Sequence, residues 1–415
     1  MKTPQWVKVS QALYRSSITD KLLHLRNLAV ARMDAPFVFD TYVTGKAFIG
    51  RKAECNVLGS LLERGDSVAL YEPPKSGKMS LIQQTLLNMR IAGKHFSLSQ
   101  MNLFNISDLK SFLLKFGNCV IRSCASTPAE YAAIADKYLA GTNFTFDLSL
   151  FSENDEVISL ECEADENDIR IMMKLPHLIA EERHEAFFVI IEEFQNLMQL
   201  DCYEHIFSAI KEAILNRSDK AVCCFILSGS KTNAMKYIFD GYKYFHKVVE
   251  HIPLSSIDDR DIIEYVVKGF LTTGKVIERD LVLGACRLFK NNLWYLNHFL
   301  SICDSLTKGY INEGILMESL RIILSIHEPK FLRIMSNLTG HQISFLKAVM
   351  EGVTKFSATE IIEKYSLNSS ANVRRVKDAL CKKEIITFNE KDEATMLDPL
   401  FEYWLGKYYF ELSGF

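Results

Sequence analysis

Short apolar runs alternate with longer segments of helical periodicity over the first 254 residues. The apolar runs have the length and the flanking turn residues of buried strands, and they cover residues 67–71, 95–104, 186–191 and 221–227. Helical patterns lie between them, at residues 55–62, 81–90 and 202–215. Because parallel strands joined by helices are covered on both faces, this alternation predicts an α/β core with a parallel sheet and helices on both faces.

From residue 255 the apolar pattern becomes helical. Four segments predict a helical lid, and they cover residues 258–268, 278–288, 293–306 and 312–324. Beyond Pro329, three helical segments (338–350, 357–365 and 369–382) precede two short strands (384–388 and 395–397), which is the element order of a winged helix. Ser357 and Glu360, three residues apart, predict a capping box at the second of these helices.

These changes of pattern divide the 415 residues into four parts. They are an N-terminal extension (1–33), an α/β core (34–254), a helical lid (255–330) and a winged-helix domain (331–415). The extension is basic and mildly amphipathic, and it lacks the apolar segment of a signal peptide. Three interpretations of it are open: a helix on a membrane surface, a peripheral helix of the fold, or an extension upstream of a start at Met33.

Composition narrows the classes of protein. Hydrophobic residues make up 48% and charged residues 24% of the chain, as in globular proteins. The formal net charge of −3 requires neither nucleic acid nor a membrane as partner. The ten cysteines show no CxxC spacing, which indicates reduced thiols and a cytoplasmic protein. The sequence has no apolar stretch of about 20 residues, so we expect no transmembrane helix.

A phosphate-binding motif follows the first predicted strand. Such a loop, G-x-x-x-x-G-K-[ST], curls backbone N–H groups around phosphates, its lysine reaches the β- and γ-phosphates, and its hydroxyl holds Mg²⁺. Gly77 and Lys78 are intact, whereas Glu72 replaces the first glycine and Met79 the hydroxyl residue. The predicted nucleotide-binding residues are Pro74, Lys75, Ser76, Gly77, Lys78, Met79 and Ser80. The alternative is a strand, turn and helix that bind no ligand.

The substitutions in this loop affect the metal more than the phosphates. The thioether of Met79 is a poor ligand for a hard cation. Ser80 lies one residue further along the helix, about 100 degrees around its axis, so its hydroxyl should point away from the ion. Glu72 would repel phosphate unless its side chain faces outward.

Two further groups of polar residues follow predicted strands. Glu192 and Glu193 end an apolar strand, as do the carboxylates that hold Mg²⁺ and polarise the attacking water, so both are candidate catalytic residues and Glu192 a candidate metal ligand. Ser228 and Ser230, after the next strand, are candidate sensors of the γ-phosphate. The alternatives are a helix N-terminus stabilised by two acids, and a simple turn.

The third helix of the predicted winged helix carries Arg374, Arg375 and Lys377. A basic helix in this position can enter the major groove of DNA. The predicted wing, however, carries Glu390, Asp392 and Glu393, which disfavour phosphate. DNA binding and docking on a protein surface therefore both remain open.

Taken together in order, these features resemble the archaeal-type ATPases of the STAND class, relatives of the AAA-type ATPases, in their short bacterial form. The resemblance extends from Pro36 to about Phe410. Its landmarks are Pro36-Phe37, Phe48-Ile49-Gly50-Arg51, the loop from Pro73 to Leu81, Glu193-Phe194-Gln195, Ser228-Gly229-Ser230-Lys231 with Met235 and Phe239, and Asp398-Pro399-Leu400-Phe401 with Trp404. It implies a P-loop NTPase core that binds ATP or ADP with Mg²⁺, and a winged helix that packs on this core as part of a switch.

The departures from the family pattern concern metal and catalysis. The family's GPRRxGKTSL-like loop begins here with Glu72 and carries Met79, and the family's Asp-Glu-Phe-Gln begins here with Glu192. Asn102 stands where an aspartate is frequent, and the arginine expected after the acidic motif has no clear equivalent near residues 207–211. We therefore expect weak or Mg²⁺-independent nucleotide binding and slow or absent hydrolysis.

The leading hypothesis is a nucleotide-regulated switch with a protein partner. The alternative is a nucleotide-independent adaptor, or a DNA-binding protein that acts through its winged helix. A third hypothesis, an active motor ATPase, is disfavoured by Met79.

Overall fold

The computed structural model describes residues 36–146, 157–216, 221–241 and 243–414. The predicted N-terminal extension lies outside the described residues. The described residues form two compact units, one built from residues 36–41 and 258–329, and the other from the described residues between 42 and 257 together with residues 330–414.

Eleven strands occur in the described residues. In chain order they are β1 (Val68–Tyr71), β2 (Phe96–Asn102), β3 (Phe144–Phe146), β4 (Ile158–Leu160), β5 (Ala186–Glu192), β6 (Cys223–Gly229), β7 (Glu250–His251), β8 (Val276–Ile277), β9 (Tyr310–Ile311), β10 (Ile386–Phe388) and β11 (Ala394–Met396).

The helices account for most of the remaining described chain. They are α1 (Lys52–Glu63), α2 (Lys78–Ile91), α3 (Leu109–Arg122), α4 (Pro128–Tyr138), α5 (Glu166–Arg183), α6 (Tyr203–Leu215), α7 (Thr232–Phe239), α8 (Asp259–Thr272), α9 (Arg279–Leu288), α10 (Leu293–Leu306), α11 (Glu313–Ser336), α12 (Gly340–Met350), α13 (Thr359–Lys364), α14 (Ser370–Lys382) and α15 (Pro399–Trp404), which a π-helical turn (Leu405–Tyr409) follows.

A five-stranded parallel sheet forms the centre of the larger unit, in the order β2-β5-β6-β1-β7. The predicted parallel sheet is thus confirmed, and all four predicted strands belong to it. The fifth strand, β7, consists of two exposed residues that pair with Val68 and Ala69. The apolar pattern did not predict β7, because this strand has no apolar run.

Alternate residues of each strand point to opposite faces of the sheet, and helices cover both faces. In β1, Leu70 packs in the apolar cluster with α1 and α2, whereas Ala69 packs in the cluster with α3, α5 and α6. The neighbouring cysteines of β6 divide in the same way, with Cys224 in the first cluster and Cys223 in the second. The core therefore lies in two layers, one on each side of the sheet.

A short antiparallel hairpin, β3 and β4, packs beside α3. The buried side chain of Asn118 in α3 accepts hydrogen bonds from the N–H groups of Val157 and Ile158 and donates one to the carbonyl of Leu114. Because both polar atoms of the Asn118 amide form hydrogen bonds, burying this side chain costs little in desolvation. These bonds hold the hairpin against α3.

The smaller unit contains α8, α9, α10 and the first part of α11, together with the parallel pair β8 and β9. The ring of Phe37 meets that of Phe270 edge-on at 4.7 Å between centroids. A Cβ atom on Gly269 would lie 2.7 Å from the Phe37 ring, so glycine permits this close approach. The four helices that the apolar pattern predicted here are present, whereas their role as a lid stays a prediction.

The predicted end of the last lid helix at residue 324 is wrong. Helix α11 continues through Pro329 to Ser336. A proline removes one backbone donor from a helix. Ile323 and Phe331, one on each side of the proline, are both fully buried, so apolar packing supports the helix across this position.

The last elements have the predicted winged-helix order, with α12, α13 and α14 before the antiparallel hairpin of β10 and β11. The predicted capping box at Ser357 and Glu360 is wrong. Helix α13 begins at Thr359, and its N-cap residue Ala358 has no side-chain acceptor. Ser357 lies before the cap because the helix starts later than the apolar pattern indicated.

In the described part of the chain, no helix combines the length and the apolarity that a membrane crossing requires.

Replacing Asn118 with alanine should leave the N–H groups of Val157 and Ile158 without their acceptor inside the protein. We expect a loss of about 1–3 kcal/mol in the free energy of unfolding of the larger unit. Scanning calorimetry of the full chain measures this as a lower unfolding temperature. Asn105→Ala, at an exposed asparagine, is the control and should leave the temperature unchanged. Equal unfolding temperatures for the two variants would contradict the prediction.

Candidate functional site

The predicted phosphate-binding loop joins β1 to α2 at the carboxyl edge of the parallel sheet. Gly77 is the N-cap residue of α2 and has a φ of 89°, and Lys75 also has a positive φ, of 67°. Since glycine carries no side chain, nothing from the cap residue covers the first N–H groups of the helix. A Cβ atom on Gly77 would lie 3.1 Å from Nη1 of Arg51, so both the backbone and the packing require glycine.

Lys78 is the first residue of α2, and it is buried. Its ammonium donates to the carbonyls of Glu72 (2.7 Å) and Pro73 (2.9 Å) and lies 3.4 Å from the hydroxyl of Ser76. Burial lowers the pKa of Lys78 to about 8, although the carboxylates of Glu193 and Glu72 favour its charged form. The loop is therefore folded around a buried cation.

Arg51 is a component of the site that the sequence reasoning missed. Its Nη1 donates to the carbonyl of Ser76 at 2.7 Å, and the residue itself is the N-cap of α1 with a φ of 53°. Burial lowers the pKa of Arg51, against the attraction of Glu54 and Glu72. The signal was present, because Arg51 ends the landmark Phe48-Ile49-Gly50-Arg51, but no motif indicated which group it would bind.

Glu72 stands where a phosphate-binding loop usually has glycine, and its side chain turns toward the end of the core. Its Oε1 accepts a hydrogen bond from the N–H of Leu254 at 3.4 Å. Burial raises the pKa of Glu72, and the charges of Lys78, Arg51 and Lys236 oppose this rise. Three cations therefore favour the charged form of this carboxyl group.

The two glutamates at the end of β5 face different neighbours. Glu192 accepts hydrogen bonds from Gln100 (2.8 Å) and Asn102 (3.4 Å) of the adjacent strand β2. Oε2 of Glu193 accepts from the amide of Gln195 (2.7 Å) and from the hydroxyl of Ser230 (2.6 Å). The structure thus places Glu193 and Ser230 together on the side of Lys78, whereas Glu192 is bound to β2.

The two candidate sensors have different surroundings. Ser228 is buried in β6, where it pairs with Leu70 of β1, and Ser230 binds Glu193. Between them, a Cβ atom on Gly229 would lie 2.5 Å from Oε1 of the buried Gln195. Because glycine has no side chain, the Gln195 side chain fits beside this position and donates its hydrogen bond to Glu193.

The side chains that follow Lys78 turn away from the phosphate-binding side of the loop. Met79 packs against the apolar cluster of α1, α2 and the sheet. The hydroxyl of Ser80 accepts a hydrogen bond from the N–H of Val43 at 3.1 Å. Within the described ranges, no group of three or more His, Cys, Asp or Glu side chains is placed to hold a metal ion.

The winged helix approaches the loop at Lys75. The ammonium of Lys330 lies 2.8 Å from Oδ2 of Asp398, and both are electrostatic neighbours of Lys75. Partial desolvation and the charge of Lys330 lower the pKa of Lys75, although the residue is exposed to solvent. Asp398 also caps α15 by accepting from the N–H groups of Leu400 and Phe401. The landmark at residues 398–401 therefore lies beside the loop.

The three candidate DNA-binding residues are not equivalent. Arg374 and Arg375 are exposed on α14. The ammonium of Lys377 lies 2.7 Å from Oδ2 of Asp392 and 4.2 Å from the ring centroid of Phe388, so it is bound to the wing.

Comparisons with known proteins concern the fold. Residues 329–407 match a family model described as "Probable winged helix domain". No curated protein matches the sequence. A Walker-type ATPase of Pyrococcus abyssi is similar in structure, with a TM-score of 0.61 and 13% identity over 89% of this chain and 99% of its own. The ORC2 protein of Aeropyrum pernix, in ADPNP and ADP complexes, has a TM-score of 0.52 and 12% identity over 87% and 93%. The chain therefore has the fold of the P-loop ATPases, with a C-terminal winged-helix domain.

Proposed function

We propose that this chain is a nucleotide-binding regulatory switch of the STAND ATPase type, which binds ATP or ADP and hydrolyses it slowly or not at all. The observation that carries the proposal is the meeting of Lys78, Glu193 and Ser230 beside the open N-terminus of α2. The ordered landmarks from Pro36 to Phe410 support the STAND assignment.

The residues present fit a nucleotide. The first turn of α2 offers N–H groups and the positive end of the helix dipole, which suit a phosphate. Lys78 would transfer its hydrogen bonds from the loop carbonyls to phosphate oxygens, and Arg51 would hold the outer side of the loop through Ser76. The fold of the Aeropyrum pernix protein accommodates ADPNP and ADP, which agrees with this assignment.

The same residues do not fit Mg²⁺. The position of the usual hydroxyl ligand is taken by Met79, which packs into the apolar cluster. Glu192, the candidate metal ligand, is engaged by Gln100 and Asn102. We therefore propose that the nucleotide binds without a metal ion. Hydrolysis should be slow, because Oε2 of Glu193, the candidate base, already accepts hydrogen bonds from Gln195 and Ser230.

Lys75 provides a route from the nucleotide to the winged helix. A phosphate at the loop would attract the Lys75 ammonium, which otherwise interacts with Asp398. Because Asp398 also holds Lys330 and caps α15, a change at Lys75 alters the contacts of the winged helix. A ligand that weakens these contacts shifts the population of the docked winged helix.

One observation favours the second candidate, an adaptor or DNA-binding protein. Arg374 and Arg375 are exposed on the helix that enters DNA in other winged helices. Against it, Lys377 is bound to Asp392, and acidic and basic residues are nearly balanced from residue 330 onward.

Replacing Lys78 with alanine should weaken ATP and ADP binding about 10- to 100-fold, because a charge-assisted hydrogen bond to phosphate is worth roughly 1.5–3 kcal/mol. Isothermal titration of the purified chain, with and without Mg²⁺, measures this loss. Lys94→Ala, at an exposed lysine beyond the other end of α2, is the control. No binding by the parent chain at millimolar nucleotide would favour the adaptor.

Nucleotide affinity should fall as the pH rises above about 8, the pKa to which burial lowers Lys78. Below this pH the free protein already carries the charged ammonium. Above it, Lys78 must take up a proton when the nucleotide binds, so the affinity should fall by up to about tenfold for each pH unit. Titrations over about pH 7 to 9.5 test this. Lys78→Arg stays charged throughout and should show a shallower profile, with the remaining dependence coming from Lys75, whose pKa is also lowered. A flat profile for the parent chain would exclude Lys78 as the phosphate ligand.

Restoring Glu72→Gly, Met79→Thr and Glu192→Asp together should raise ATP turnover at least about tenfold and make it Mg²⁺-dependent, because metal ligation typically changes activity by this much. A phosphate-release assay measures turnover. The matched control carries Met79→Val instead, which has the shape of threonine without the hydroxyl. An equal gain in both triple variants, or none in either, would refute the metal argument.

A further inference from the structure

Helix α7 follows the candidate sensor Ser230, and its first residues lack a cap of their own. The N-cap residue, Lys231, makes no side-chain cap hydrogen bond. Lysine has no acceptor atom, and its positive charge is unfavourable at the positive end of a helix. The first turn therefore requires an acceptor from elsewhere in the chain.

The acceptor is Glu384 of the winged helix. Its carboxylate accepts from the N–H of Asn233 (3.0 and 3.1 Å) and from the N–H of Ala234 (3.0 Å). The side-chain amide of Asn233 also donates to the carbonyls of Cys381 (3.0 Å) and Ile386 (2.9 Å). The winged helix thus caps α7 over a sequence distance of about 150 residues.

A second contact lies one turn further along α7. The ammonium of Lys236 donates to the hydroxyl of Thr387 (2.9 Å) and to the carbonyl of Phe388 (3.0 Å), both in β10. We call the residues Asn233, Ala234 and Lys236, with Glu384 and Thr387, the α7 latch. Burial raises the pKa of Glu384, and the hydrogen bonds from α7 offset only part of this rise, so the carboxylate depends on its partners in α7.

The other contacts of α7 lead to the nucleotide site. Ser230, two residues before the helix, donates to Glu193. At the opposite end, Asp240 accepts from the hydroxyl of Tyr71 at 2.6 Å, and Tyr71 is the last residue of β1 before the loop. The helix is therefore fixed at both ends to the site, and along one side to the winged helix.

We infer that Glu384, which caps α7, is a positioning residue for Ser230, and that the α7 latch sets the preference of the site between ADP and ATP. This inference rests on the proposed function. A γ-phosphate oxygen would accept the hydrogen bond that the Ser230 hydroxyl otherwise donates to Glu193. Because Ser230 lies just before α7, this new bond would draw the start of the helix toward the loop. The latch resists this movement, so it favours ADP over ATP. By reciprocity, ATP weakens the latch more than ADP does.

The test uses the full chain with Glu384→Gln, which keeps the shape of the side chain but removes its charge. Hydrogen–deuterium exchange at Asn233 and Ala234 reports on the latch itself, and titration with ADPNP and ADP reports on discrimination. We expect faster exchange at these amides and a ratio of ADPNP to ADP affinity raised about fivefold or more. In the parent chain, ADPNP should speed the same exchange more than ADP.

Two variants complete the design. Asn233→Ala removes the hydrogen bonds to Cys381 and Ile386, so it should shift the ratio of ADPNP to ADP affinity in the same direction by a smaller factor. This variant also tests the inference if Glu384→Gln does not fold. Glu390→Gln, at an exposed glutamate on the wing, should change neither readout.

The outcomes separate the two proposals. Faster exchange in Glu384→Gln with an unchanged ratio of ADPNP to ADP affinity would mean that the latch is only structural. Unchanged exchange in this variant would mean that the latch does not hold α7. Either result overturns the inference. Failure of the parent chain to bind either nucleotide would overturn the proposed function and the sensing role together, while the exchange measurement would still show whether Glu384 caps α7.

Discussion

The geometry of the site depends on the buried ammonium of Lys78. A charge removed from water must be surrounded by hydrogen-bond acceptors, and here the carbonyls of Glu72 and Pro73 supply them. Arg51 fixes a third carbonyl, that of Ser76, from the other side. The positive φ lies at Lys75 and Gly77. The loop therefore wraps around the charged groups of Lys78 and Arg51, which explains how it folds with Glu72 in place of the first glycine of the motif.

Topology made much of the fold predictable. Alternating apolar and helical segments indicated the parallel sheet, and a parallel sheet brings the carboxyl ends of β1, β5 and β6 to one edge. Candidate residues far apart in sequence were therefore expected together. Sequence could not show that Glu193 rather than Glu192 meets Ser230, because this depends on the direction in which each side chain leaves its strand.

Other features depended on contacts between distant segments. The roles of Arg51 and Glu384 could not be predicted, since their partners lie 25 and about 150 residues away. Lys231 was nevertheless a usable signal, because a lysine at a helix N-cap implies an acceptor from outside the helix. In the same way, apolar packing around Pro329 outweighed the local rule that a proline ends a helix.

The paired cysteines of β6 give the sheet a built-in pair of chemical probes. Cys223 lies in the layer with α3, α5 and α6, whereas Cys224 lies in the layer with α1 and α2. A thiol reagent reaches either sulfur only after the helices on that side have loosened. Two adjacent residues therefore report separately on opposite faces of one sheet, and the order of their modification records which layer opens first.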